Sequence, residues 1–190
     1  MAQIRGFTIA VGFLFLASLA WADDATEDGP ALLERARAQT RLGELDAAAV
    51  LYEQYVTEHP EDAEALLSYA DVLLYCGGFA RADELQERYR ASKGDTVAYR
   101  TAKANLRARS GRPTEALSLV EELLAKDPGN FDLNLIRTVA LQAVRRPSAA
   151  REGLATLERL GPDRQETRDA RLMVEMPLSP QVSGNGETAS

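Results

Sequence analysis

Cysteine and histidine are almost absent from this 190-residue sequence, which has one of each, Cys76 and His59. A single cysteine excludes an intramolecular disulfide. A lone imidazole, with no second imidazole or thiol beside it, argues against a zinc site and against histidine-based acid-base catalysis. Stability must therefore come from packing, and no metal or other cofactor is predicted.

Cys76 stands directly before Gly77 and Gly78, at the predicted end of a helix. A small, weakly polar sulfur side chain at such a position commonly packs against a neighbouring element. The alternative is a reactive thiol or an intermolecular disulfide. We favour the packing role.

Basic side chains are too few to balance the acidic ones, with 22 Lys and Arg against 29 Asp and Glu and a net charge of −7. This excess opposes adsorption to nucleic acid or to an anionic membrane. Adjacent acids such as Glu121 and Glu122 point in different directions on a helix, which is typical of a solvated surface. Residues 184–186 lack the preceding strand and following helix of a phosphate loop. Neither a nucleic-acid partner nor an enzymatic activity is predicted.

The first residues have the pattern of a secretory signal peptide. Arg5 precedes an apolar run at residues 7–19, and Ala20 and Ala22 are the small residues that a signal peptidase requires. We expect cleavage after Ala22, followed by a short linker at residues 23–28. The alternative, a retained anchor, needs about 20 apolar residues, more than this run contains. After cleavage no membrane span is predicted.

A 34-residue period runs through the rest of the chain without insertions. Such a period is the signature of a repeat protein and has to be recognised before local structure is assigned. Its markers are three glycines, four alanines and three prolines: Gly43, Gly77 and Gly111; Ala48, Ala82, Ala116 and Ala150; Pro60, Pro128 and Pro162.

The period divides the chain into four units, at residues 29–62, 63–96, 97–130 and 131–164. Each unit has two stretches of helical apolar spacing separated by a short break. In unit three the break is Gly111 followed by Pro113, which ends one helix and begins the next. The sequence predicts four pairs of helices.

These residues resemble the tetratricopeptide repeat family over residues 29–164. The resemblance lies in residues 42–48 and 126–130, and in small residues where paired helices cross: Ala36, Ala70, Ala104 and Thr138 in the first helices, and Ala48, Ala82, Ala116 and Ala150 in the second. It implies an all-α fold, a right-handed α-solenoid of about four helix-turn-helix repeats.

Units three and four depart from the family pattern. Arg100 and Asn134 replace large apolar residues early in the first helices, and Gly94 replaces the terminal proline of unit two. Unit four has Arg145 where the other units have glycine. The helices are still predicted, because each retains an apolar stripe.

The end of a solenoid exposes an apolar face unless another element covers it. Residues 165–176 contain Ala170, Leu172, Met173 and Met176 among charged residues, and we predict a capping helix there. Residues 177–190 are rich in Pro, Ser and Gly, and we expect them to be disordered. Alternatively, they begin a further segment of a longer protein.

In the family, the first helices of successive units line a concave groove that receives a peptide or a helix of a partner. The resemblance implies a mixed groove rather than the basic clamp of chaperone-binding relatives, because Leu33 and Asp71 break that set. The candidate partner-binding residues are Arg37, Asp71, Thr101, Asn105 and Gln142, in a wider set that includes Leu33, Thr40, Leu67, Leu74, Ala108, Leu135 and Val139.

Arg100, Lys103 and Arg107 fall on one face of the first helix of unit three. Such a basic face could bind an acidic protein segment or an anionic polysaccharide. The alternative, which we favour, is a surface stripe paired with nearby acids.

The function predicted from the signal peptide and the resemblance is a non-catalytic scaffold that mediates protein-protein interactions in the bacterial cell envelope, with the periplasm of a Gram-negative bacterium as its location. The alternative is a periplasmic subunit of an exopolysaccharide secretion or outer-membrane assembly system that contacts polysaccharide.

Overall fold

The computed structural model describes residues 29–176. The predicted signal peptide at residues 1–22, the linker at 23–28 and the tail at 177–190 all lie outside the described residues.

Residues 29–176 form nine helices and no strand. Their bounds are α1 (Gly29–Leu42), α2 (Leu45–Glu58), α3 (Ala63–Tyr75), α4 (Phe79–Lys93), α5 (Val97–Arg109), α6 (Pro113–Leu124), α7 (Phe131–Ala143), α8 (Pro147–Leu160) and α9 (Gln165–Glu175). The first helices α1, α3, α5 and α7 begin 34 residues apart, and α9 begins at the next interval. Each helix packs mainly on its neighbours in the chain, as expected for stacked repeats. The predicted all-α solenoid is confirmed.

The turn within each unit has the same backbone geometry. Gly43, Gly77 and Gly111 have φ angles of 79°, 77° and 82°, and Arg145, on the same phase of the period, has a φ of 57°. In every case the next amide bonds back to the last turn of the helix, as Arg146 N does to Leu141 O at 2.9 Å. This arrangement is a Schellman motif, which usually needs glycine because an L side chain disfavours positive φ. Unit four therefore keeps the turn despite the arginine.

The first helices of units two to four are capped at positions that also repeat at 34 residues. The side chains of Asp62, Thr96 and Asn130 each accept a hydrogen bond from the backbone amide of the third residue of α3, α5 and α7. These bonds satisfy amides that have no partner within the helix. The caps therefore fix where each new unit begins.

The small residues at the helix crossings are completely buried. Their side chains are 0 % exposed at all eight positions: Ala36, Ala70, Ala104, Thr138, Ala48, Ala82, Ala116 and Ala150. Small side chains let the two helices of a unit approach closely, and the larger apolar residues then fill the space between units. The sequence pattern had predicted this arrangement.

The polar residues at apolar positions are accommodated by hydrogen bonds. Asn134 is 5 % exposed, and its Nδ2 donates to Pro128 O at 3.0 Å and to Asn130 O at 2.7 Å. Gln86 is 1 % exposed, and its Nε2 donates to Ala102 O at 3.0 Å, while its Oε1 has no hydrogen-bond partner among the described residues. Buried amides are tolerated when such bonds are made, so the loosened family pattern does not disrupt the stack.

Helix α9 covers the end of the solenoid. Ala170 and Val174 are buried in a cluster with residues of α7 and α8, and Thr167 Oγ1 donates to Gly161 O at 2.6 Å. Leu172 and Met176, which the sequence suggested as part of the apolar face, are instead 64 % and 65 % exposed. The packed face is thus rotated toward Val174.

Candidate binding groove

One concave surface runs along the first helices α3, α5 and α7 and is bounded by α9. It consists of two adjoining cavities of about 490 and 250 Å³ that share Tyr75, Arg109, Leu135 and Glu166. Each helix contributes residues of two or three successive turns: Leu67, Asp71 and Tyr75 from α3; Thr101, Asn105 and Arg109 from α5; Asp132, Leu135 and Val139 from α7; Glu166, Asp169 and Met173 from α9.

A connected set of polar contacts orders the middle of the groove. Arg109 Nη2 donates to Tyr75 Oη at 3.2 Å, and the Arg109 guanidinium carbon lies 4.3 Å from the centre of the Tyr75 ring. Arg109 Nε donates to Asn105 Oδ1 at 3.0 Å, and Asn105 Nδ2 donates to Asp71 Oδ1 at 3.0 Å. These bonds hold Tyr75 in place while half of its surface, 51 %, remains exposed.

The surroundings of the groove raise the pKa of two residues that line it, Asp71 and Tyr75. Burial raises the pKa of Asp71 above its usual range, and the charge of Asp132 adds to this effect, although Arg109 and Asn105 act in the opposite direction. Burial also raises the pKa of Tyr75, with smaller contributions from Glu166 and Asp169 across the groove. Negative charge is thus concentrated on this surface.

Arg164 balances part of that charge at the rim. Its Nη2 lies 3.6 Å from Asp132 Oδ1 and 3.4 Å from Glu166 Oε1, and its guanidinium carbon lies 3.7 Å from the centre of the Phe131 ring. The pKa of Glu166 is lowered, first by its own backbone amide at the start of α9 and then by Arg164. Asp71 and Asp169, in contrast, bond to amides: Asn105 in the first case and, at 2.8 Å, Gln165 in the second.

The structure places three of the five candidate partner-binding residues in the groove: Asp71, Thr101 and Asn105. Arg37 lies on α1, outside both cavities, and its Nη1 bonds to Glu34 Oε1 at 2.6 Å. Gln142 is 8 % exposed, and its Nε2 donates to Met173 O at 3.1 Å. Gln142 therefore helps to hold α9 rather than lining the groove.

The wider set divides in the same way. Leu67, Leu135 and Val139 line the groove. Leu74 and Ala108, which occupy the same position in their units as Gln142 does in unit four, are 4 % and 6 % exposed. At Leu74, Ala108 and Gln142 the prediction was wrong, because the helix turns these side chains inward. In α3 and α5 the next residue, Tyr75 or Arg109, lines the groove instead. The remaining members, Leu33 and Thr40 on α1, lie outside the two cavities, and Leu33 is buried in the core.

The sequence reasoning missed Tyr75, Arg109, Asp169 and Met173. Tyr75 and Arg109 are 34 residues apart, so the period itself indicated that they would meet across adjacent units. Asp169 and Met173 follow Leu135 and Val139 by one period of 34 residues, so they occupy the equivalent positions of α9. Treating α9 as the first helix of a further half-unit, rather than as a plain cap, would have predicted them.

Each cation of the candidate basic face pairs with an acid of a flanking helix. Arg100 bonds to Glu122, and Arg107 Nε lies 3.4 Å from Glu115 Oε2. Lys103 Nζ lies 2.6 Å from both Asp83 Oδ1 and Glu87 Oε1. The Lys103 and Arg107 side chains are only 12 % and 14 % exposed. This geometry ties α5 to α4 and α6, and partner binding by this face stays a prediction.

The contacts of Glu87 make the junction between units two and three sensitive to acid. Hydrogen bonds from Lys103, Tyr99 and Arg90 lower the pKa of Glu87 from 4.5 to about 2. Since the pKa is depressed in the folded state, the ionised carboxylate contributes stability above pH 4.5 and loses that contribution as the pH falls toward 2. We expect Glu87→Gln to have a lower melting temperature than the wild type at about pH 7, and the difference to shrink at about pH 3.

Thermal unfolding followed by circular dichroism across this pH range measures the effect. Glu58→Gln, at an exposed position of α2, is the matched control and should melt like the wild type throughout. A Glu87→Gln difference that does not change with pH would contradict the assignment.

We also searched residues 29–176 for a buried thiol, a metal site and a membrane-spanning helix. Cys76 is exposed at the end of α3, so its predicted packing role is wrong. No three His, Cys, Asp or Glu side chains in this range are arranged to hold a metal ion. None of the helices described is both long and apolar enough to cross a bilayer.

Known proteins with similar sequences and structures have the same helical repeat fold. The tetratricopeptide repeat family model matches residues 39–106 and 107–171, which is more than half of the chain. A tetratricopeptide repeat protein from Parabacteroides merdae is 19 % identical with a TM-score of 0.68, over 79 % of this chain and 59 % of that one. A thermophilic member from Thermus thermophilus is 22 % identical with a TM-score of 0.64, over 77 % of this chain and 81 % of that one.

These structures establish a shared fold, and none of the curated proteins matches the sequence. This chain spans less than two thirds of the length of the Parabacteroides protein. Together, the matched repeats and the nine stacked helices of residues 29–176 show that the chain belongs to the tetratricopeptide repeat family.

Proposed function

We propose that the chain is a non-catalytic scaffold that binds a polypeptide segment of a partner protein in the groove of α3, α5, α7 and α9. Tetratricopeptide repeat proteins generally serve as such scaffolds. The observation that carries the proposal is Tyr75, an aromatic side chain that is half exposed inside a concave surface and held there by Arg109. Rigid aromatic residues at the centre of a concave surface often contribute most of the binding energy.

We propose the bacterial cell envelope, outside the inner membrane, as the place of action. This location depends on the signal-peptide pattern of residues 1–22. The alternative role, a subunit of an exopolysaccharide secretion or outer-membrane assembly system, predicts that the isolated protein binds saccharide. The scaffold role predicts that it binds polypeptide.

A peptide-display experiment tests the scaffold role. The protein, purified from cells that express the full chain, is panned against a library of random peptides, and the affinity of the selected peptides is measured by fluorescence polarisation. We expect Tyr75→Ala to weaken their binding by about tenfold or more, equivalent to about 1.4 kcal/mol, because the variant removes the exposed ring.

Val50→Ala is the matched control, because Val50 is 69 % exposed but lies on α2, outside the groove. It should bind like the wild type. If no library peptide binds, or if Tyr75→Ala and the wild type bind equally, the proposed function is wrong. Binding of polysaccharide in place of peptide would favour the alternative role.

A further inference from the structure

We infer that the groove selects an extended basic segment, one in which lysine or arginine alternates with apolar residues. This inference rests on the proposed function and adds the chemistry of the partner. It follows from the distribution of charge and apolar surface over the four helices of the groove.

The carboxylates of the groove exceed its cations. Four acids line it, Asp71, Asp132, Glu166 and Asp169, and the cation among them is Arg109. Arg109 is already held by Tyr75 and Asn105, and Arg164 at the rim offsets part of the charge of Asp132 and Glu166.

Asp71 and Asp169 are the acids that a partner can still neutralise. In the described part of the chain, both bond to side-chain amides rather than to a cation. Desolvation by the groove raises the pKa of Asp71, and the nearby charge of Arg109 and the bond from Asn105 offset this effect only in part. A lysine or arginine delivered by a partner would relieve this cost through a charge-assisted bond.

Apolar side chains line the same groove as the two acids. Leu135 and Val139 of α7 and Met173 of α9 line the smaller cavity together with the Tyr75 ring. Successive side chains of an extended segment point in opposite directions. A segment that alternates basic and apolar residues can therefore place cations at the acidic walls and apolar groups against these residues.

The charge of the chain itself makes a separate partner the expected occupant. Residues 23–28 and 177–190 carry acidic and no basic side chains, and the whole chain has a net charge of −7. Neither these segments nor a second copy complements an acidic groove. A basic partner would in addition be attracted from a distance, which raises its association rate at low salt.

Three synthetic peptides test the inference on the purified protein. One alternates leucine and lysine, and the other two have glutamate or glutamine in place of every lysine. By fluorescence polarisation we expect the lysine peptide to bind about tenfold or more tightly than the other two. This preference should weaken at about 0.5 M salt, where exposed charges are screened over a few ångströms.

Two groove variants locate the effect. Asp71→Asn and Asp169→Asn should each weaken binding of the lysine peptide by about threefold to tenfold, while binding of the glutamine peptide and the melting temperature stay unchanged. Asp95→Asn is the matched control, because Asp95 is an exposed acid between α4 and α5. It should leave the affinity for the lysine peptide unchanged.

The inference is overturned if the lysine peptide binds no better than the glutamine peptide, or if Asp95→Asn has the same effect as the groove variants. In either case, library peptides that still depend on Tyr75 would leave the proposed function intact. Loss of all Tyr75-dependent peptide binding would instead overturn both.

Discussion

Leu106→Ala is expected to lower the free energy of unfolding by about 2–5 kcal/mol, the range observed for buried leucines replaced by alanine. Leu106 is 1 % exposed on α5, and it belongs to the same hydrophobic cluster as Leu66 and Leu73 of unit two. It is thus the apolar residue of unit three that joins the core of units one and two. The variant leaves a cavity at that junction.

The consequences should extend beyond the lost stability. Besides Leu106, neighbouring α4 and α5 are joined only by a smaller buried cluster that contains Tyr89 and Tyr99 and by polar contacts such as those of Lys103 and Gln86, as far as the described residues show. Repeat proteins unfold as one unit only when the interfaces between repeats are strong. We therefore expect a broader urea transition for Leu106→Ala than for the wild type, measured by circular dichroism.

The control is Leu172→Ala on α9, since Leu172 is 64 % exposed. Such a surface change should alter the stability by no more than about 0.5 kcal/mol. A loss of less than about 1 kcal/mol for Leu106→Ala would show that the junction does not depend on this side chain.

Gly153→Ala is expected to destabilise the protein by about 1–3 kcal/mol, the usual cost of overpacking a core. In an ordinary helix interior the same change stabilises by about 0.5–1 kcal/mol, so here the sign is reversed. The reason is that a Cβ at position 153 would lie 2.3 Å from Thr138 Oγ1. Thr138 is 0 % exposed, and its hydroxyl donates to Asn134 O at 2.8 Å. Moving the Thr138 side chain aside would break this bond in a fully buried site.

Urea unfolding of a double-mutant cycle isolates this contact. Thr138→Ala removes the clashing hydroxyl, so Gly153→Ala should cost clearly less in that background than in the wild type. Equal costs in the two backgrounds would mean that the α7 and α8 crossing is not limited by Thr138.

The repeat architecture could be predicted from the sequence because it depends on local and periodic features. The Gly77 and Gly111 turns, the buried alanines such as Ala82, and the breaks between helices repeat every 34 residues. Residues 34 positions apart occupy equivalent places in adjacent units, and those on the first helices lie next to each other. Even the contact between Tyr75 and Arg109 follows from that rule.

The sequence predicted less well which side chains line the groove, because a shift of one residue along a helix turns a side chain by about 100°. The prediction of Leu74, Ala108 and Gln142 as groove residues failed for this reason. Likewise, the sequence showed Leu172 and Val174 as two apolar residues, and packing on α7 and α8 decided that Val174 is the buried one.

The sequence by itself therefore determined the all-α repeat, the length of its units and the family. The tertiary structure decided which charges are available to a partner. Lys103 and Arg107 are tied to acids of α4 and α6, whereas Asp71 and Asp169 line the groove with side-chain amides as their hydrogen-bond partners. The physical reason is that an ion pair between helices depends on their relative rotation and distance, which a one-dimensional period does not encode.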